Sequence, residues 1–178
     1  MVNFRVFKIL GLISVFLGLS MMPSVLWSIY YNEINSIYTF IKSIFITVSF
    51  GLSMYLISIF FNSKNKDLSS KDGFTIVAVG WFLMALFGAL PFYFSNLNLT
   101  FIDSLFESMS GFTTTGATIL GNEIKIEDLS YGILFWRSFS QFIGGMGIIV
   151  FSIAILPLLG IGGVQLFKAE VAGPTADK

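Results

Sequence analysis

Four stretches of this chain carry no charged side chain: residues 9–32, 43–63, 73–102 and 138–167, which are 24, 21, 30 and 30 residues long. Crossing a bilayer takes about 20 predominantly apolar residues, so each stretch can span one. Hydrocarbon offers no water to backbone N–H and C=O groups, and such a segment satisfies them by becoming a helix. Four membrane helices are therefore expected, at residues 7–30, 41–61, 74–92 and 129–158. A soluble domain with a rich core would interleave its charges with its apolar positions. Here only 11% of residues are charged, against about 25% in soluble domains, and they collect between the runs.

The first run could instead be a secretory signal, since Arg5 and Lys8 resemble a basic leader. It exceeds the roughly 7–15 apolar residues of such a signal, and no small-residue cleavage site follows it. A retained helix is the expectation. Cysteine and histidine are absent, which excludes disulfides, thiolate or imidazole metal sites, and catalysis by either residue. Ser108 and Ser110 have no candidate base. The glycine-rich run 159–167 lacks a lysine at phosphate-loop spacing and follows no strand. No enzyme is expected.

The link after the second helix, residues 62–72 (NSKNKDLSSKD), is a solvated loop carrying Lys64, Lys66 and Lys71. With the N-terminus inside, the cytoplasmic face also holds Arg5, Lys8, Lys168 and Lys178, while Lys42 and Lys125 lie outside. This distribution obeys the positive-inside rule and its reverse breaks it, so both termini are expected in the cytoplasm. The acids go the other way: Glu33, Glu123, Glu127 and Asp128 fall outside, with Asp103 and Glu107 near the outer face. A negative outer vestibule would concentrate cations. The acids could equally sit there without consequence, because they contribute little to topology.

Residues 93–128 are neither a tight loop nor a fifth span. Pro91 lies near the outer end of the third helix, and residues 95–100 (SNLNLT) are turn-like. Phe101, Leu105, Ser108 and Met109 recur at helical spacing, which predicts a short helix over 101–109. Residues 110–118 follow, reading SGFTTTGAT. Consecutive threonines and glycine disfavour helix. Gly111 is expected to end the short helix, and Gly116 to supply a backbone conformation closed to other residues. An uncharged, non-helical backbone at membrane depth is tolerated where it is buried in protein or lines a water-filled path. There its carbonyls can replace an ion's hydration shell, and the negative end of the short helix favours a cation. Residues 117–130, with Asn122, Glu123, Lys125, Glu127 and Asp128, then return to the outside. Helix, re-entrant half-helix, extended strand and helix form the unit of a potassium-channel pore. The alternative is a non-conducting scaffold, in which the threonine run is an outer loop and glycines and aromatics mediate helix association.

Arg137 lies inside the fourth span, where a charge is costly and normally paired. It either pairs with Glu107 or Asp103, bracing the filter from behind, or snorkels to the outer interface. Gly144, Gly145 and Gly147 permit close helix packing or, alternatively, a gating hinge.

The segments FESMSGFTTTGAT and FWRSFSQFIGGMGIIVFSIAILPLLGIGGVQLFKAEVAGPTADK resemble bacterial Trk-type potassium uptake proteins, the TrkH branch of the Trk/Ktr/HKT superfamily. The match is specific over residues 101–178, and the first two helices look like the N-terminal pair of TrkH-like members. The resemblance implies an all-α membrane protein with four transmembrane helices, one re-entrant pore half-helix and an extended filter strand. It divides the chain into a two-helix membrane domain (1–72), a first helix–pore-loop–helix repeat (73–160) and a cytoplasmic segment (161–178). It implies that the carbonyls of Thr114 and Thr115 coordinate K⁺, with Thr113 and the filter glycine Gly116 adjoining. No cofactor is implied beyond K⁺ as the transported ion. Implied partners are the lipid bilayer, a second copy in a homodimer and a TrkA-like cytosolic nucleotide-binding regulatory subunit, with no nucleic acid. The implied location is the bacterial inner membrane. The family carries four such repeats around one pore, whereas this sequence holds one. The chain is thus expected to be a portion of a longer protein, since four assembled copies would repeat the first two helices around the pore. A Na⁺-permeable or Na⁺-coupled transporter of the same superfamily stays open.

Overall fold

The structure, a computed structural model, describes residues 4–61, 69–120, 126 and 129–158, with side chains described through residue 147 except at position 70. Seven helices form among these residues: α1 (Phe4–Ser20), α2 (Met22–Tyr30), α3 (Ile34–Phe61), α4 (Ser70–Gly88), α5 (Leu90–Phe94), α6 (Phe101–Phe112) and α7 (Tyr131–Leu158). Three stretches of the described residues are long and apolar enough to cross a membrane: Phe4–Tyr30, Ile34–Phe61 and Lys71–Phe94. α7 adds a helix of 28 residues, about 42 Å at 1.5 Å per residue.

Two of the expected helices are interrupted, each by a proline. The helix expected at 7–30 breaks at Met21, because Pro23 sits in the first turn of α2 and has no N–H to continue the ladder. The helix expected at 74–92 breaks at Ala89, with Pro91 in the first turn of α5. Other boundaries also move. α3 begins at Ile34 rather than 41, because Ser36 and Thr39 turn inward and are buried. Thr39 Oγ1 donates to the Phe94 carbonyl at 3.2 Å and ties α3 to α5. α4 begins at Ser70, inside the stretch expected to be loop. Ser69 Oγ accepts from the Asp72 N–H at 3.2 Å while Asp72 Oδ2 accepts from the Ser69 N–H at 2.9 Å. This reciprocal cap satisfies amides that would otherwise fray the end. Lys71 therefore lies in the first turn of α4, and Lys64 and Lys66 lie outside the described residues.

The packing inverts the pattern of a soluble protein. Phe45 and Phe60 are 72% and 83% exposed, whereas Ser14, Ser43, Thr47 and Ser58 are buried between helices. Lipid tails are as apolar as leucine, so burial of large side chains does not drive helix association there, and small residues that allow close approach do. α1 and α3 cross on such residues. A Cβ added to Gly11 would lie 2.6 Å from the Gly51 carbonyl oxygen, and one on Gly51 would lie 2.7 Å from that of Gly11. Gly18 meets Val48 in the same seam. At the far end of the seam, Ser58 Oγ donates to the Phe4 carbonyl at 2.7 Å.

α7 packs against this frame and is capped from a distance. Glu33, in the turn between α2 and α3, accepts from the N–H of Tyr131 at 2.7 Å and of Gly132 at 3.2 Å. A carboxylate on a helix N-terminus satisfies orphan amides and meets the positive end of the dipole. In the interior, Trp136 is fully buried, donates to the Gly88 carbonyl at 3.0 Å and lies edge-on to Phe112.

Replacing Gly51 by leucine forces α1 and α3 apart at backbone contact. The variant is expected to lose roughly 1–3 kcal/mol, as overpacked cores do. The check is its thermal unfolding midpoint in detergent, and a midpoint equal to the parent's would remove the close-crossing account.

Candidate functional site

α6 is positioned by the same kind of cap as α4. Thr100 Oγ1 accepts from the Asp103 N–H at 3.2 Å, and Asp103 Oδ2 accepts from the Thr100 N–H at 3.1 Å. The helix runs to Phe112, three residues past the expected end at 109. Gly111 therefore does not end it. Glycine is needed there for space, since a Cβ would fall 2.5 Å from Ser140 Oγ on α7. Thr113 is the cap residue, and the chain leaves the helix at Thr114.

The loop that follows turns its amides back onto the last turn of α6. Thr113 N–H donates to the Met109 carbonyl at 2.9 Å and Thr114 N–H to that of Gly111 at 3.0 Å. The N–H groups of Thr115 and Gly116 both converge on the Ser110 carbonyl, at 3.1 and 3.5 Å. Thr114 (φ +57°) and Gly116 (φ +74°) are both left-handed. All peptide bonds described are trans. In a planar trans peptide the C=O of one residue opposes the N–H of the next. Amides of Thr114, Thr115 and Gly116 that face α6 thus turn the carbonyls of Thr113, Thr114 and Thr115 away from it. No hydrogen bond among the described residues ends on those three oxygens or on that of Gly116. Residues 113–118 are exposed, and nothing lies within 4 Å of where a Cβ on Gly116 would be. The result, among the described residues, is a short row of carbonyls without a hydrogen bond, those of Thr113, Thr114 and Thr115 turned away from the end of α6.

Two side chains hold the loop beyond Gly116. Ser110 Oγ donates to the Ala117 carbonyl at 2.5 Å. Glu107, 2% exposed, accepts through Oε1 from the N–H of Ile119 at 2.7 Å, from the Leu120 N–H at 3.4 Å and from the hydroxyl of Thr118. Its other oxygen lies 3.5 Å from Arg137 Nε on α7. The structure thus brings Glu107 and Arg137 together behind the loop, while Asp103 is occupied at the start of α6. The Thr113 and Thr115 hydroxyls lie 2.8 Å apart, and that of Thr113 also donates to the Met109 carbonyl at 2.8 Å.

α7 backs this arrangement directly. A Cβ on Gly144 would collide with the Phe112 carbonyl oxygen, so α7 touches the end of α6 backbone to backbone. Gly145 and Gly147 have room for a methyl, with nearest atoms at 3.9 Å (Thr114 Cγ2) and 3.6 Å (Trp81). Among the acids expected to form an outer vestibule, Glu33 caps α7, Asp103 caps α6 and Glu107 faces Arg137. Glu123, Glu127 and Asp128 lie outside the described residues, as do Asn122 and Lys125. Sequence reasoning missed the roles of Ser110 and Glu33, whose partners are backbone atoms. The T-x-x-D of the α6 cap was a readable signal.

Residues 36–178 match the family model TrkH, described as a cation transport protein. The chain belongs to the TrkH family. It is 42% identical over 173 residues to the Trk system potassium uptake protein TrkH of Escherichia coli K12, a match that covers 96% of this chain and 34% of that protein. It is 39% identical to the Trk system potassium uptake protein TrkG of the same organism, over 90% of this chain and 32% of that one. Its fold is similar to the crystal structure of the potassium transporter TrkH from Vibrio parahaemolyticus, with a TM-score of 0.81 and 35% identity, covering 95% of this chain and 36% of that one. The chain spans about a third of the length of the TrkH-family relatives it matches.

Glu107 is buried, and removing its cation leaves an uncompensated charge. Arg137→Gln is expected to destabilise the complete protein by about 3 kcal/mol, the low end for a buried pair, because the Arg137 side chain keeps 22% of its surface exposed. Adding Glu107→Gln should recover part of that loss, since a neutral amide needs no cation. Thermal midpoints in detergent read both, and a single variant as stable as the parent would sink the pairing argument.

Proposed function

We propose that this chain is the N-terminal portion of the membrane pore subunit of a Trk-type uptake system. It contributes one strand of a filter that selects K⁺ by backbone carbonyls. The observation that carries the reading is the row of carbonyls at Thr113, Thr114 and Thr115, turned away from α6 and without a hydrogen bond among the described residues, with Gly116 adjoining. A cation that sheds its water needs oxygens already pointing at it, and carbonyl dipoles supply them without a fixed charge. The family membership and the potassium transporters among the relatives support the same ion.

In this reading α7 is the fourth span, α6 is the re-entrant half-helix, and Glu107 and Arg137 brace the filter from behind. Residues 1–72 form the N-terminal membrane pair, 73–160 the first pore repeat and 161–178 the cytoplasmic segment that leads onward. Lysine and arginine placement supports both termini in the cytoplasm of a multi-pass inner-membrane protein. One loop offers oxygens from one side only, so the complete protein supplies the others. That protein works as a homodimer with a TrkA-like nucleotide-binding subunit on its cytoplasmic face. A non-conducting scaffold would leave the alignment of the carbonyls without a use.

The test is ion uptake by the complete protein in cells that lack other potassium uptake. Gly116→Ser places a side chain at φ +74°, a conformation costing non-glycine residues roughly 1–2 kcal/mol. The ratio of K⁺ to Na⁺ uptake should fall on the order of tenfold. Thr114→Ser keeps the carbonyl and should stay near the parent rate. If Gly116→Ser transports with the parent's ion preference, the filter assignment is wrong.

A further inference from the structure

We infer that Ser110 is a positioning residue for ion selection: its hydroxyl clasps the Ala117 carbonyl and so fixes which oxygens of the loop can face an ion. The inference rests on the filter reading above and names a residue which that reading does not use.

A serine inside a helix normally donates back to the carbonyl four residues earlier. Ser104 does so on this same helix, to Thr100 at 3.0 Å. Ser110 does not. It reaches forward seven residues, out of the helix, to Ala117 at 2.5 Å. It is 6% exposed, and no other donor among the described residues serves the Ala117 carbonyl. The main-chain oxygen of the same residue accepts from Thr115 and Gly116 at 3.1 and 3.5 Å. One residue therefore closes the loop at both ends. Its carbonyl gathers the amides and sends the Thr114 and Thr115 carbonyls outward, and its hydroxyl turns the Ala117 carbonyl inward. The row of outward carbonyls ends where Ser110 ends it.

Without the hydroxyl, the Ala117 carbonyl has no partner in the interior and is free to swing toward the open side. An extra oxygen there, and a looser Gly116 beside it, change the number and spacing of oxygens offered to the ion. The ion preference then changes, whereas the helices that carry the loop stay packed. Ser110 is thus distinct from Glu107, which holds residues 118–120 further along the chain.

The experiment compares Ser110→Ala and Ser110→Cys with the parent in the complete protein. K⁺ and Na⁺ uptake are normalised to folded protein in the membrane, and K⁺- against Na⁺-dependent shifts of the thermal midpoint are recorded in detergent. Alanine should lower the K⁺ over Na⁺ ratio on the order of fivefold to tenfold, the scale of one lost hydrogen bond. Cysteine has similar size but donates weakly, so it should fall between. A reduced amount of folded protein with the parent's ratio per molecule would make Ser110 merely structural and overturn the proposal. Should alanine yield no folded protein, the cysteine variant decides, and the parent's ratio in it overturns the proposal equally. Gly116→Ser is run alongside. If it loses selectivity while both Ser110 variants keep it, only the role of Ser110 falls. If none of the three alters the ratio, the filter reading falls with it.

Discussion

The site depends on the need of every backbone amide to find an acceptor. Helices meet it internally, and the loop after α6 has no ladder of its own. It borrows the last turn of α6, whose carbonyls at Met109, Ser110 and Gly111 would otherwise be orphans of a helix end. One set of hydrogen bonds thereby satisfies two groups of stranded atoms. Peptide planarity does the rest: amides gathered on one side leave carbonyls on the other. The free oxygens are a by-product of satisfying the donors. No acidic side chain lies among residues 113–118, so the loop presents carbonyl dipoles without a fixed charge.

Everything around the loop keeps that last turn in place. Gly144 and Gly111 let α7 and α6 meet with no side chain between them, which fixes their separation more tightly than packed leucines would. Trp136 spans the same junction, hydrogen-bonded to the end of α4 and edge-on to Phe112. Glu107 joins α6, the descending chain and α7 through its two oxygens. Glu33 fixes the start of α7 from the turn between α2 and α3, so even the N-terminal helices bear on the position of α7. Glu33, Glu107 and Arg137 thus hold backbone or one another.

What could be read from the sequence follows from which atoms carry the signal. The charge-free runs were legible because exclusion from lipid acts on residue type. The breaks at Met21 and Ala89 were marked by Pro23 and Pro91, yet a run scored only for length and charge passes through them. The start of α3 was lost because Ser36 and Thr39 face inward in an inverted packing, and polarity there does not mark a loop. Glu107 and Arg137 could be paired by eye, since two opposite charges at comparable depth have few other options. Ser110 and Glu33 could not be assigned. Their partners are a carbonyl and two amides, and every residue has those. Gly111 was readable as a special position but for the wrong reason, because the need for φ freedom and the need for space both select glycine.

Thr114 shows how the loop combines strain with support. A β-branched residue at φ +57° is an outlier that glycine would relieve, and such strain costs on the order of 1–3 kcal/mol. Glycine does occupy the second left-handed position, Gly116, where the surroundings are open. At 114 the side chain is exposed as well, and its methyl lies 3.9 Å from where a Cβ on Gly145 of α7 would sit, which leaves room for a methyl there. The left-handed backbone at 114 is held instead by the Gly111 carbonyl, which accepts its amide at 3.0 Å. A glycine there would relax the backbone and leave that hydrogen bond in place. The strain is sustained by the hydrogen bonds that over-determine the turn, those of the Thr114, Thr115 and Gly116 amides onto the last turn of α6.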